Sequence, residues 1–422
     1  MSPRIFIVKF DKPSATYIPG ENITGSVTIV LDEPKSVRDV RIYFKGEAHV
    51  YWTTTETEED IHGKSSTKTV SHSATEKYFS IEQSLIRKSI EENEVELPVG
   101  ESVYYFSFQL PINIPCSFEH HIGHIRYTAK AIVDIPWKFN WNTKSAFTVV
   151  TGFDLNPVSH QCVGIDDETL KNFHCCCFNR GSICVRIRIP STGYVPGQYI
   201  MTEVFSNLKS EKVQITKISA KLQEELTFHA HGSTERDIIM IQRDRDEGPI
   251  KPIHQSNLKL YVPSLPPSNL EYCGIIDLKY YLRVNVHVTG LHKKVDRKFP
   301  VLIGTVPLIS APWAPLDSVD DTYPTAPIID QEPSVSTSIK PIPGPMPQPE
   351  IILPSIPQPN INGPQSSNHP IGWHMPPPSY EECMQKADNI KDEDDSNSVY
   401  GADLPFAPRY PVFNFLTPNS SK

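Results

Sequence analysis

Long apolar runs are missing from this sequence. No stretch of its 422 residues approaches the roughly 18 apolar positions that a membrane-spanning helix needs. Met1-Ser2-Pro3-Arg4 leads straight into Ile5-Phe6-Ile7-Val8, with no hydrophobic leader or cleavage site. Ser2 excludes myristoylation, and Asn419-Ser420-Ser421-Lys422 offers no cysteine for prenylation. A cytoplasmic address is expected, with membrane contact made through partners. Signatures of catalysis are equally scarce: there is no G-x-S-x-G, H-E-x-x-H, Walker loop or G-x-G-x-x-G, and the carboxylates are scattered. The sequence reads as non-enzymatic.

Cysteine occurs eight times, at 116, 162, 175, 176, 177, 184, 273 and 383, without the spacing of a disulfide framework, and a cytosolic address keeps thiols reduced. The sequons at Asn22 and Asn419 are then chance matches. His174-Cys175-Cys176-Cys177 lacks the C-x₂-C pairs of structural zinc sites, so these thiols read as small apolar packing groups. His120 and His124 have i, i+4 spacing, but on a strand-rich segment their side chains do not meet. Neither a metal nor a cofactor is expected.

Proline is abundant and unevenly placed. Of 40 prolines, 22 fall in residues 311–422, and the same segment holds 14 acidic against 5 basic residues. That asymmetry accounts for the whole net charge of −9, leaving 35 charges of each sign in the body. A neutral body gives no basic field for nucleic acid. The acidic tail is expected to be disordered, because few apolar clusters offset the entropy of ordering it.

Residues 5–310 read as β. Val40-Arg41-Ile42-Tyr43-Phe44-Lys45, Val185–Ile189 and Val284–Val288 alternate apolar and polar positions, the period of a half-buried strand. Tyr78–Lys88 is the best helical candidate, and Thr53–Lys77 reads as a long hairpin or mobile loop. An internal repeat organises the rest. Tyr17-Ile-Pro-Gly-Glu-Asn-Ile23 recurs as Tyr194-Val-Pro-Gly-Gln-Tyr-Ile200, a Pro-Gly turn between strands. Val40–His49 parallels Ile215–Glu224, and His124–Val133 parallels Asp277–Val286. Two immunoglobulin-like β-sandwiches are expected, at 1–150 and 181–310, joined by a linker at 151–180 and followed by the tail at 311–422.

The tail carries short motifs. Pro377-Pro378-Ser379-Tyr380 follows Pro376, and consecutive prolines pre-form the polyproline II helix that WW domains bind, with a pocket for the tyrosine ring. Pro408 and Tyr410, in Ala407-Pro408-Arg409-Tyr410, make a weaker second WW candidate. Pro324-Thr325-Ala326-Pro327 matches the peptide that ESCRT-I recognises. Asp392–Asp395 reads as a solvated acidic run. In the body, Lys9, Lys12, Arg126 and Lys130 are candidates for a cargo- or phosphate-facing surface.

The Tyr-x-Pro-Gly turn, its echo near 197, the strand His124–Val133, the Cys175–Cys177 run and the Pro-Pro-x-Tyr tail together resemble the arrestin-domain-containing proteins, or α-arrestins. The resemblance implies two tandem arrestin sandwiches. It also implies an adaptor linking membrane receptors or transporters to WW-domain HECT-type ubiquitin ligases, for ubiquitination, endocytosis and endosomal sorting at plasma membrane and endosomes. Many members carry two good Pro-Pro-x-Tyr motifs, and this chain has one. Two alternatives stand beside that reading: an ESCRT-I-recruiting scaffold for vesicle budding, and a redox or metabolic regulator acting through a cysteine.

Overall fold

The computed structural model describes residues 2–59, 65–86, 93–175, 178–309, 378–392, 394–396 and 398–415. Among them, regular structure is β apart from one 3₁₀ turn at Ser159–Gln161. The first sandwich contains β1 (Ile5–Phe10), β2 (Thr16–Tyr17), β3 (Asn22–Leu31), β4 (Lys35–Val37), β5 (Asp39–Glu59), β6 (Ser65–Ser84), β7 (Val95–Leu97), β8 (Gly100–Gln109), β9 (Phe118–Glu119), β10 (Gly123–Asp134) and β11 (Trp141–Val149). The second contains β12 (Ile165–Cys175), β13 (Phe178–Ile189), β14 (Gly193–Tyr194), β15 (Tyr199–Lys209), β16 (Ile215–Ala230), β17 (Ser233–Ile250), β18 (Ile253–Tyr261), β19 (Ile276–Val288) and β20 (Val295–Ile303).

Eight strands of each follow the same connectivity, and β12 is an additional edge strand of the second. One sheet runs β2-β11-β10-β5-β6 in the first sandwich and β14-β20-β19-β16-β17 in the second; the facing sheets run β1-β3-β8 and β12-β13-β15-β18. The alternation read from the sequence sets the packing: Val40, Ile42 and Phe44 are fully buried on β5, as are Val185 and Ile187 on β13. The repeat extends to hydrogen bonds. In each Pro-Gly turn the residue after glycine donates to the carbonyl before proline (Glu21 to Ile18, Gln198 to Val195). The same residue's side chain receives the N–H of Ile18 or Val195, at 3.0 and 2.9 Å. On the closing strands, buried Tyr127 and Tyr280 donate to the carbonyls of Pro115 and Pro266 at 2.7 and 2.9 Å.

Three expectations are corrected. Tyr78–Lys88 is not helical over its described part, because residues to Ser84 belong to β6, whose pairing with β5 forms the long hairpin expected at 53–77. The linker at 151–180 is partly strand. β12 alternates half-buried and exposed residues with little apolar surface, and it forms by pairing with β13 at the sheet edge. Residues 378–415, read as part of a disordered tail, pack on the body as β21 (Ser379–Glu382), β22 (Val399–Tyr400) and β23 (Arg409–Val412). Cys383, Ile390, Val399, Ala402, Tyr410, Val412 and Phe413 are buried apolar groups that offset their ordering.

Both turn glycines have positive φ, +83° at Gly20 and +98° at Gly197. A Cβ at Gly20 would meet only Ile112 at 3.6 Å, whereas one at Gly197 would lie 2.0 Å from the carbonyl oxygen of Phe413 in the tail. Gly20→Ala should therefore cost about 1–2 kcal/mol of left-handed strain. Gly197→Ala should in addition displace the tail, read in limited proteolysis as faster cleavage within 378–415 than in Gly20→Ala.

Candidate functional site: the docked tail and its lysine cradle

The sheet containing β5, β10 and β11 presents three lysines to the tail. Lys130 and Lys144 lie directly opposite each other on β10 and β11, an arrangement in which like charges repel. One tail carboxylate resolves it. Asp395 accepts from Lys130 at 2.6 Å through Oδ1 and from Lys144 at 2.8 Å through Oδ2. Asp392 adds contacts of 2.7 Å to Lys144 and 3.1 Å to Lys45, and Lys45 also meets Glu47 at 2.5 Å. The side chains of Lys144 and Asp395 are 1% and 2% exposed. Three cations thus face three carboxylates, two of them from the tail. Burial alone would raise the Asp395 carboxyl; hydrogen bonds from Lys130 and Lys144 outweigh it and bring its pKa down to about 2. Of the acidic run read as solvated, Asp392 and Asp395 are ionic contacts to the body, and Asp394 is exposed.

The rest of the tail bridges both sandwiches. β22 joins the edge of β11 in parallel, Asn142 opposite Val399 and Thr143 opposite Tyr400. Tyr410 donates to the Ser117 carbonyl at 2.7 Å, and the Arg409 N–H donates to Thr148 at 3.2 Å, both in the first sandwich. In the second, Ser264 donates to the Glu381 carbonyl at 2.7 Å, and the Phe413 N–H donates to the Pro196 carbonyl at 3.0 Å. Gln385 donates to Glu224 at 2.6 Å. Glu224 is fully buried, and its second oxygen has no hydrogen-bond partner among the described residues. Burial, opposed by the Gln385 hydrogen bond and reinforced by the charge of Asp237, pushes its carboxyl up to about 7.

The motif residues are placed as follows. Pro377 lies outside the described residues, as do Pro324, Thr325, Ala326 and Pro327. Pro378 is half-buried, and Ser379 and Tyr380 are exposed at the start of β21. Pro408 and Tyr410 are both buried. As docked, the second WW candidate is therefore closed, its tyrosine ring packed inside and its hydroxyl committed to Ser117.

The four basic candidates do not form one surface. Lys9 and Lys12 are exposed at and just beyond β1, in the sheet opposite Lys130. Lys12 pairs with Glu21 at 2.7 Å. Arg126 is buried in a two-pronged pair with Glu119, at 2.7 and 2.8 Å. Of the lysine cradle, sequence reading singled out only Lys130. The signal for Lys45 was its place on a polar position of the alternating strand Val40–Lys45, and Lys144 lay on a strand that the sequence did not single out.

His120 meets His121 and Asp237 rather than His124. Its Nδ1 accepts the Ile122 N–H at 3.2 Å, which leaves the proton on Nε2 to be donated to Asp237 at 3.1 Å. A metal would need that Nε2 lone pair, so the group serves as a hydrogen bond between the sandwiches.

Two sandwiches of shared connectivity, strapped by an extended C-terminal segment, define the architecture. Residues 6–156 match the family described as Arrestin (or S-antigen), N-terminal domain, and residues 179–308 its C-terminal domain. Arrestin domain-containing protein 17 of Caenorhabditis elegans is 30% identical over 448 aligned positions, covering 97% of this chain and 98% of the relative. Arrestin domain-containing protein 4 of Homo sapiens is 25% identical over 70% of each chain. Arrestin domain-containing protein 1 of Rattus norvegicus is 24% identical over 74% of this chain and 67% of its own. The chain belongs to the arrestin-domain-containing family, the α-arrestins, and that membership supports an adaptor role.

Two outcomes test this site. Asp392→Asn with Asp395→Asn leaves the cradle lysines without tail charges, a change that costs about 3–5 kcal/mol in buried pairs. The tail should detach, seen as rapid proteolysis of 378–415 with the sandwiches still resistant. Glu224 titrates in the other sense. A carboxyl whose folded pKa of about 7 lies above the unfolded 4.5 adds stability below pH 4.5 and loses it as pH rises through 7, roughly 3 kcal/mol in all. Glu224→Gln should remove that slope, so that the stability difference from wild type changes by about this amount between pH 4 and 8 in urea unfolding.

Proposed function

We propose that this α-arrestin is an adaptor that brings WW-domain HECT-type ubiquitin ligases to membrane receptors or transporters, for ubiquitination and endosomal sorting. The observation that carries the reading is the placement of Tyr380, 43% exposed at the rim of the docked tail with the proline run directly before it. The partner position on β23 is Pro411, which has no N–H to donate, so the β21–β23 ladder is short and readily opened. A WW groove needs the segment as polyproline II, so ligase binding competes with this pairing. The adaptor works by proximity: a ligase held on the tail acts at high effective concentration on cargo held by the sandwiches.

Cargo binding is assigned to the sandwiches, with Lys130 and its neighbours Lys45 and Lys144 becoming available to acidic segments when the tail leaves. Among the described thiols the alternative role as a redox regulator has less support, and the side chains of Cys175, Cys176 and Cys177 lie outside the described residues. Burial raises the thiols of Cys116 and Cys383 to about 12 and also raises those of Cys162, Cys184 and Cys273. Thiols held protonated are poor nucleophiles.

The test is binding of isolated WW domains from HECT ligases to the full-length chain. Tyr380→Ala should abolish it, while Asp392→Asn with Asp395→Asn should tighten it, by about tenfold for each 1.4 kcal/mol of tail docking removed. Wild-type binding unaffected by Tyr380→Ala would refute the assignment.

A further inference from the structure

The turn between β10 and β11 carries two of the most exposed large apolar side chains of the molecule, Trp137 at 100% and Phe139 at 95%. It is an ordered turn. The Ile135 N–H donates to the Asn140 side chain at 3.2 Å, the Lys138 N–H donates to the Ile135 carbonyl at 3.4 Å, and the Arg38 N–H holds the Asp134 carbonyl at 2.7 Å. Trp137 has φ +59°, a left-handed conformation that glycine or asparagine adopts at less cost. A tryptophan there strains the backbone and packs against nothing, so the fold gives no reason for it.

The charges around it are uneven in their pairing. Asp134 is taken by Arg38 at 2.9 Å and by Arg41 at 4.0 Å, and Glu94 receives the Ser36 hydroxyl. Burial and then the neighbouring Lys138 ammonium lower the Lys35 pKa from its ordinary value, with Glu33 the acidic group nearby that opposes them. Among the described residues neither lysine has a carboxylate within ion-pair distance. Arg38, Glu94, Pro136, Trp137, Lys138 and Phe139 line a shallow groove at this tip.

We propose that the β10–β11 tip is a direct lipid anchor: Trp137 and Phe139 enter the headgroup–acyl boundary of an anionic bilayer, and Lys35 and Lys138 receive its phosphates. Two rings on a convex turn, with cations at their base, match the amphipathic belt that aromatic and basic side chains form at a membrane surface. A protein partner would need about 800 Å² of complementary surface on this side, and a narrow turn does not offer it. This contact is independent of the ligase reading and of any cargo.

The experiment is flotation of the full-length protein with phosphatidylcholine vesicles, with and without phosphatidylserine, for four chains. Wild type should float with the anionic vesicles. Trp137→Ser with Phe139→Ser should lose the interaction by tenfold or more, and Lys35→Glu with Lys138→Glu should lose its dependence on phosphatidylserine. Trp137→Gly should unfold at the same or a higher temperature than wild type yet float less, separating anchoring from folding. Failure of wild type to float would overturn the proposal, as would equal flotation of the Trp137/Phe139 variant. Protection of Lys35 and Lys138 from acylation by free inorganic phosphate but not by vesicles would also overturn it, assigning the lysines to a soluble anion.

Discussion

A lysine ammonium with 1% exposure has to keep its charge away from water, and Lys144 does so only because the tail supplies Asp392 and Asp395. The isolated sandwich would set Lys144 against Lys130 across β10 and β11 with no carboxylate between them, so the strand pair and the tail are one electrostatic unit. Around that contact the tail adds Tyr410 in the shared apolar core and Phe413 in the smaller cluster with Leu155, Cys162 and Val195. Ionic and apolar contacts lie at different points along the strap. The buried ion pairs are the strongest of these contacts, so their loss frees the strap while the two sandwiches stay folded.

The duplicated body was legible because duplication repeats both pattern and chemistry. Tyr17 to Gly20 and Tyr194 to Gly197 look alike in sequence and close the same turn through the same backbone and side-chain bonds. Tyr127 and Tyr280 share the tyrosine-to-proline hydrogen bond. Period-2 alternation located the core strands for the physical reason that one face of each is buried. It failed for β12, where a polar edge strand is held by backbone pairing and leaves no apolar stripe to read.

Residues 378–415 of the tail were misread for a related reason. The buried apolar residues of this segment have no common period, since they meet different parts of the body rather than one continuous sheet face. Asp392 and Asp395 look solvated in isolation, and their partners lie more than 240 positions earlier in the chain. Compositional arguments about disorder weigh a segment's capacity to bury itself, and here the burying surface is supplied by two other domains. The exposed Tyr380 and the buried Tyr410, 30 residues apart, show how one strap can display one tyrosine and conceal another.

Hydrogen exchange of the wild-type, full-length chain tests the docked tail most directly. The amides of Cys383, Ile390, Phe406 and Phe413 donate to the carbonyls of Pro408, Ala402, Ala387 and Pro196. Protection of these four well above the unstructured rate, alongside the core amides of β10 and β19, is the predicted result. Exchange at the unstructured rate across 379–413 with both sandwiches protected would contradict it.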